Sequence, residues 1–146
     1  MRTVLGIVCI LFGALGWAGQ VISGLNYELA QKLGLQEKSE GTDPLFRLAE
    51  RNTARWDIVV LWTLIAAGIL MLLDNAWWPP VALVAGGIYL DAAGREVAKV
   101  LSLKRHGVRI GTPGARKVAA GFFTVMAAVS IWVLAYTLWF VAGEMG

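Results

Sequence analysis

Long apolar stretches alternate with charged segments along this chain, and four of the stretches are long enough to cross a bilayer. The apolar stretches cover residues 3–23, about 56–73, about 80–103 and 113–142. A bilayer core is crossed by about 20 mostly apolar residues in a helix. Spanning segments must be helical because lipid offers no partners to backbone amides and carbonyls. The pattern predicts an all-α fold in one domain, an integral membrane four-helix bundle.

Local residues predict where two of these helices begin. Asp43 followed by Pro44 is a capping residue before a proline at the first helical position, and Thr112 with Pro113 repeats the pattern. We expect the helix that starts at Pro44 to continue unbroken into the second span. Residues 77–80, Trp-Trp-Pro-Pro, predict a tight turn at the lipid interface between the second and third spans.

The segment after the first span has a weaker pattern with two interpretations. Leu25, Leu29 and Leu33 recur every four residues among polar side chains. This spacing is typical of a short amphipathic helix that lies at the membrane interface or folds under the bundle. An ordinary solvated connector with some helical content explains the spacing equally well.

The composition supports a membrane location. Hydrophobic residues make up 58% of the chain and the mean hydropathy is +0.64, whereas soluble domains contain roughly 45–50% apolar residues. The net charge of +3 does not indicate nucleic-acid binding, because the basic residues lie beside the predicted spans. The first stretch is longer than the apolar region of a typical signal peptide, so we expect it to be a retained span.

Basic residues predict the orientation through the positive-inside rule. Residues 24–55 contain five Lys or Arg residues, the segment 95–117 contains seven, and the opposite side has only Arg2. We therefore expect a multi-pass cell-membrane protein with cytoplasmic loops at 24–55 and 104–112 and with both termini outside. The sequence therefore predicts that the protein interacts directly with the lipid bilayer.

The second basic segment also predicts contact with anionic lipids. Clusters of Lys and Arg beside a span attract lipid headgroups, although the same charges serve to set topology alone. The candidate headgroup contacts are Lys104, Arg105, Arg109, Arg116 and Lys117.

The third span contains the most unusual residues of the chain. Asp91 interrupts its apolar run, and Arg95 and Lys99 follow at intervals of four, so all three share one helical face. A charge at this depth is costly, which predicts that the face points into the bundle. The face would either form a polar, ligand-binding cavity or a structural Asp91–Arg95 pair with Lys99 extending to the interface.

Topology places further polar residues at the same depth, near the inner end of the second span. The resulting hypothesis is one ligand-binding cluster. Its members are Asp91, Arg95, Glu96, Lys99, Arg51, Arg55 and Asp57.

The remaining polar residues do not favour a particular chemistry. The only histidine, His106, lies in a loop, so haem and histidine-based metal sites are unsupported. The only cysteine, Cys9, lies in an apolar run and is expected to act as a small buried hydrophobe. We therefore predict no metal and no cofactor, and the sequence leaves open whether the protein is an enzyme.

Two resemblances to known families rest on short motifs. Leu45-Phe46-Arg47 and Gly94-Arg95 resemble motifs of small four-span bacterial membrane proteins of unknown function, which implies the four-span layout. Arg47, Arg51 and Asp57 resemble the Arg-rich motif of the membrane-associated eicosanoid and glutathione metabolism family, which implies four spans and outside termini. Ala54 stands where that family carries Asn, and its Tyr and Arg pattern in spans three and four is missing here.

Three functions fit these observations. The leading expectation is a non-catalytic accessory subunit, or a binder of lipid or another small ligand, with a membrane protein or further copies of the chain as partner. The alternatives are a membrane enzyme that acts on a lipophilic substrate from the cytoplasmic side, and an oligomeric transporter of small solutes.

Overall fold

The computed structural model describes residues 1–144, and it is almost entirely helical. The described residues contain no β-strand beyond an isolated bridge between Thr42 and Ile110. The helices are α1 Arg2–Leu25, α2 Tyr27–Lys32, α3 Pro44–Val60, α4 Trp62–Leu72, α5 Trp78–Arg105 and α6 Pro113–Glu144. The all-α prediction is confirmed, while the predicted placement of the C-terminus concerns a residue outside the described range.

Three helical segments are long and apolar enough to cross a membrane. They are Arg2–Leu25, the combined segment Pro44–Leu72 and Pro113–Glu144, with 24, 29 and 32 residues. Helix α5 has 28 residues but is not among them, because its second half is rich in charged side chains. The structure therefore supports membrane helices but leaves the predicted fourth span unconfirmed.

The predicted helix starts are largely correct. The Asp43 carboxylate accepts a hydrogen bond from the Leu45 amide at 2.8 Å, and the Thr112 hydroxyl accepts one from the Ala115 amide at 3.3 Å. The predicted tight turn at residues 77–80 is wrong in position, because α5 already begins at Trp78. Both prolines fit its first turn, where an amide hydrogen has no helical partner.

The helix that begins at Pro44 is interrupted at Leu61, contrary to the prediction of an unbroken helix. Side-chain donors compete for the carbonyls around this position, which is a known cause of helix bending. The four carbonyls of residues 58–61 each accept one side-chain hydrogen bond of 2.7–2.9 Å, from Trp17, Trp62, Thr63 and Tyr89. These bonds give each of the four carbonyls a side-chain partner at the break.

The long helices pack in a continuous series. Helix α1 packs along α3 and α4, α4 packs against α5, and α5 packs against α6. We call the end that contains Arg2 and the α4–α5 connection the turn end, and the end that contains segments 24–43 and 106–112 the loop end. Near the turn end, α1 and α4 meet at Gly6 and Gly68, where a Cβ added to Gly68 would lie 2.6 Å from the Gly6 carbonyl oxygen. Cys9 is fully buried beside this contact, as predicted.

The two charged loops contact each other at the loop end. The Asp43 amide donates to the Arg109 carbonyl at 2.9 Å. The Glu37 carboxylate accepts hydrogen bonds from the amide and the hydroxyl of Thr112, at 3.2 and 2.9 Å. The structure therefore places both loops at the same end of the bundle, and it anchors the start of α6 to the first loop.

The leucines of the first loop do not fold under the bundle. The helix there, α2, has only six residues, and Leu25, Leu29 and Leu33 are all exposed while Ala30 is buried. The expectation that these leucines fold under the bundle is therefore wrong, because all three are exposed. Contact of the leucines with a membrane interface stays a prediction.

Candidate functional site

A groove lies between α3 and α5 toward the loop end, and it contains much of the predicted ligand cluster. Its volume is about 440 Å³. Three charged side chains, Asp57, Asp91 and Arg95, line it together with apolar or aromatic residues and one glycine, which are Trp56, Val60, Gly87, Ile88 and Ala92. The groove opens on the outer surface of the bundle, since Trp56 is 58% exposed.

Arg95 is the central charge of the groove. One terminal nitrogen of its guanidinium donates to an Asp57 carboxylate oxygen at 3.1 Å, and the other lies 3.7 Å from an oxygen of Asp91. The Asp57 side chain is only 5% exposed. The shorter distance is a hydrogen bond, while 3.7 Å is too long for one. Asp57 is therefore the main partner of Arg95.

Asp91 does not face the bundle interior, contrary to the prediction. Its side chain is 73% exposed at the rim of the groove. The spacing of four residues correctly placed Asp91 beside Arg95. However, the guanidinium of Arg95 is hydrogen-bonded to Asp57 on α3 and is therefore directed toward that helix. The most buried member of this face is instead Lys99, whose side chain is 19% exposed, and the neighbouring Glu96 is also buried.

A second ionic cluster lies next to the groove, closer to the loop end. The Lys99 ammonium donates to Glu50 on α3 and to Glu96 on α5, with the latter bond at 2.7 Å. All three side chains are largely buried. Glu50 was absent from the predicted cluster, although it precedes Asp57 by seven residues and so shares its face of α3.

Two predicted members of the cluster lie elsewhere. The Arg55 Nε donates to the Gly24 carbonyl on α1 at 3.3 Å, so this side chain joins α3 to the first helix. Arg51 does not line the groove, and its buried Nε has no hydrogen-bond partner among the described residues. Of the seven predicted residues, the structure brings together Asp57, Asp91, Arg95, Glu96 and Lys99.

Tyr27 connects the first loop to this end of the bundle. Burial, reinforced by the nearby Glu50 carboxylate, raises the pKa of its phenol. The protonated hydroxyl donates to the Gln36 side chain at 3.4 Å, which helps to hold α2 against the loop that follows it.

The basic residues of the second loop form an exposed surface. Lys104, Arg105, Arg109 and Lys117 are exposed and Arg116 is half-buried. Within residues 1–144, no carboxylate forms an ion pair with any of the five. Across the same residues, no group of three or more His, Cys, Asp or Glu side chains is arranged to hold a metal ion.

A second groove, of about 420 Å³, lies at the turn end. Its charged residues are Asp74 and Glu144, and its aromatic wall is formed by Trp78 and Phe140, whose ring centroids are 4.7 Å apart. Asp74 already forms an ion pair with Arg2. The lining of this groove includes no basic residue, whereas Arg95 lines the first one.

The chemistry of the first groove is suited to binding. Charged groups stand at its loop-end side and apolar groups continue toward the middle of the helices, an arrangement that complements a molecule with a polar head and an apolar tail. No protein-family model, curated protein or solved structure matches this chain.

Proposed function

We propose that this protein is a four-span membrane protein that binds a lipid in the groove between α3 and α5. The observation that carries the proposal is the groove itself, which combines Asp91 and Arg95 with the apolar side chains of Val60 and Ile88. Small-ligand sites are typically concave and mostly apolar, with a few polar groups that fix orientation. A lateral opening suits a ligand that arrives from the bilayer.

The contact between the two loops supports the four-span arrangement. Helix α4 ends at the turn end, and α6 begins at the loop end beside Glu37. Helix α5 must connect these two ends, so it runs the same distance as its neighbours. If α4 and α6 cross a bilayer, α5 crosses it between them, with its charged half facing α3 or the cytoplasmic interface.

The basic residues support the orientation. The exposed cluster from Lys104 to Lys117 lies at the loop end, where the positive-inside rule places the cytoplasm. Its free charges fit the anionic headgroups of the cytoplasmic leaflet, at about 1 kcal/mol for each residue near the surface. Both termini would then lie outside.

Cysteine labelling tests this orientation. In a Cys9→Ala background, an impermeant maleimide added to intact cells should label Asn75→Cys at the turn end. It should label Gly107→Cys at the loop end only after the cells are opened. Labelling of position 107 in intact cells would overturn the proposed topology.

Filling the groove tests the proposed binding. A Cβ at Gly87 would contact nothing within 4 Å, so the backbone has room for a side chain there, and the side chain of Gly87→Leu would extend into the groove. The matched control is Gly121→Leu, because Gly121 on α6 is equally open but lies outside the groove. The probe is a phospholipid with a photoactivatable acyl chain, followed by mapping of the modified peptides.

We expect the wild type and Gly121→Leu to be modified between residues 56 and 60 and around Ile88. Gly87→Leu should lose at least about four-fifths of this signal, which is the loss expected when the binding free energy is weakened by about 1 kcal/mol. Equal modification of all three proteins would overturn lipid binding in the groove. A cross-linked protein in place of lipid would also overturn it, in favour of a partner subunit.

Transport is a second candidate because of the break at Leu61. Interrupted membrane helices often contribute carbonyls to ion sites, and this break adjoins the groove residues Asp57 and Val60. However, the carbonyls of residues 58–61 already accept side-chain hydrogen bonds. Because each of these carbonyls is already paired with a side-chain donor, it is a weaker candidate ion ligand than an unpaired carbonyl, and lipid binding has the stronger support.

A further inference from the structure

The charges at the rim of the groove allow the ligand to be specified further. We propose that the groove selects a zwitterionic phospholipid with a primary amine, which places its phosphate on Arg95 and its ammonium on Asp91. This inference rests on the proposed lipid binding and adds the chemical class of the headgroup. It is carried by the positions of three charged side chains and by the direction in which the groove runs.

The first step concerns the unused donors of Arg95. Asp57 engages one terminal nitrogen of the guanidinium at 3.1 Å, while the other has only Asp91 nearby, at 3.7 Å. A guanidinium presents five N–H donors and no acceptor. The second terminal nitrogen therefore has donor capacity for a phosphate oxygen, a group with which arginine forms strong, charge-assisted hydrogen bonds.

The second step concerns Asp91, whose carboxylate is exposed without a hydrogen-bond donor among the described residues. Asp91 lies about 20 Å along α5 from its start at Trp78, at about 1.5 Å per residue. In a hydrocarbon core about 30 Å thick, that depth falls in the half nearer the loop end. Ionised side chains at such depths normally face the protein or pair with another charge. A cationic group from the ligand would provide this missing partner.

The third step is the charge balance, which distinguishes headgroup classes. The groove contains two carboxylates and one guanidinium, and Asp57 already neutralises Arg95. A purely anionic headgroup would meet Arg95 but repel Asp91. A headgroup with a phosphate and an amine matches both rim charges at once, and a primary ammonium supplies N–H donors to the carboxylate. A quaternary ammonium has no such donors, although it could stack on Trp56.

The direction of the groove agrees with this assignment. Its charged residues lie toward the loop end, and Val60, Gly87 and Ile88 lie nearer the middle of the helices. A lipid of the cytoplasmic leaflet has its head toward the cytoplasm and its acyl chains toward the middle of the bilayer. Head and tail would therefore each meet the matching part of the groove.

Competition between headgroups tests the proposal. The protein would be reconstituted in nanodiscs with equal amounts of phosphatidylethanolamine, phosphatidylglycerol and phosphatidylcholine, and the lipids retained after mild extraction would be quantified by mass spectrometry. We expect the wild type to retain the ethanolamine lipid preferentially. Asp91→Asn should lower the ratio of ethanolamine to glycerol lipid about tenfold, the factor expected for one lost charged hydrogen bond. Asp91→Lys should reverse the preference.

The control is Asp74→Asn, which also removes an exposed carboxylate near an arginine but lies at the turn end, outside the groove between α3 and α5. It should leave the ratio unchanged. A wild-type preference for phosphatidylglycerol, or an unchanged ratio in Asp91→Asn, would overturn the headgroup assignment. If Gly87→Leu still releases lipid in that case, the proposed lipid binding survives; if it does not, both proposals fail.

Discussion

Two helix interfaces of this bundle are built on opposite principles. At the α1–α4 interface, Gly6 and Gly68 bring the two backbones into direct contact, with Cys9 and Met71 packed beside them. At the α3–α5 interface, the helices are joined through charged side chains, with Asp57 and Glu50 on one side and Arg95 and Lys99 on the other. Small residues allow close approach where lipid provides no hydrophobic drive for association, whereas long side chains keep helices apart.

The difference explains why the groove lies where it does. Close packing of α1 on α4 leaves no space for a ligand between them, and it fixes the position of the second span. The ion pairs between α3 and α5 hold those helices together at a distance that leaves a lateral groove beside Trp56. The first interface therefore serves as a rigid support for the second.

The largest effect is expected from removing the cation that bridges α3 and α5. Lys99→Met leaves Glu50 and Glu96 facing each other in a largely buried site. Removing one partner of a buried ion pair costs about 3 kcal/mol, and we expect a loss of that size in reversible unfolding in detergent micelles. Glu50→Gln added to Lys99→Met should recover part of the loss.

Lys104→Met is the matched control for this variant, because Lys104 lies on the same helix but is exposed and has no ion pair among the described residues. If Lys104→Met lost as much stability as Lys99→Met, the ion pairs of Lys99 with Glu50 and Glu96 would not be the cause of the loss.

The close-packed interface should respond to the addition of a single methyl group. In Gly68→Ala, the new Cβ would lie 2.6 Å from the Gly6 carbonyl oxygen and 3.0 Å from the Cys9 Cβ, so α1 and α4 must separate. Overpacking of this kind typically costs about 2 kcal/mol. Gly121→Ala adds the same methyl group where nothing lies within 4 Å, and its stability in the same unfolding assay should not fall. Equal stability of the two variants would contradict the role given to the glycine contact.

Much of this architecture could be predicted from periodicity and caps alone. The apolar stretches gave the approximate positions of the helices, and Asp43-Pro44 and Thr112-Pro113 correctly marked two starts, because these signals depend only on neighbouring residues. The break at Leu61 could not be predicted in this way. It depends on donors from Trp17 and Tyr89, which reach it only after α1 and α5 have packed.

The candidate site shows the same limit. The spacing of Asp91, Arg95 and Lys99 correctly predicted a shared face, but not which neighbouring helix that face would meet. Once α3 supplies Asp57 and Glu50, the two cations turn toward it and Asp91 is left at the rim. Partner choice across an interface is a tertiary property, so the sequence predicted the participants better than their pairing.

The break in the second span should show an intermediate effect. Tyr89→Phe removes the buried hydroxyl that donates to the Leu61 carbonyl at 2.8 Å, which leaves that carbonyl without its side-chain partner. We expect a loss of about 1 kcal/mol in the unfolding assay. Tyr136→Phe, on α6, is the control, since the Tyr136 hydroxyl makes no hydrogen bond with the described residues. A loss of the same size in both variants would indicate that ring packing, and not the hydrogen bond, is being measured.

The smallest effect on stability is expected at Asp91, and it separates the two partners of Arg95. Asp57 is buried at hydrogen-bonding distance from the guanidinium, whereas Asp91 is 73% exposed and 3.7 Å away. At 3.7 Å no hydrogen bond is lost when Asp91 is changed, so Asp91→Asn should alter the free energy of unfolding by no more than about 0.5 kcal/mol, the lower end of what one hydrogen bond contributes. Asp57→Asn should cost several times as much, because it leaves Arg95 without its buried partner. Double-mutant cycles with Arg95→Leu should accordingly give a coupling energy of about 1–2 kcal/mol for Asp57 and close to zero for Asp91. A larger coupling for Asp91 would restore the pairing within α5 that the sequence first indicated, and would remove the free carboxylate on which selection of the headgroup depends.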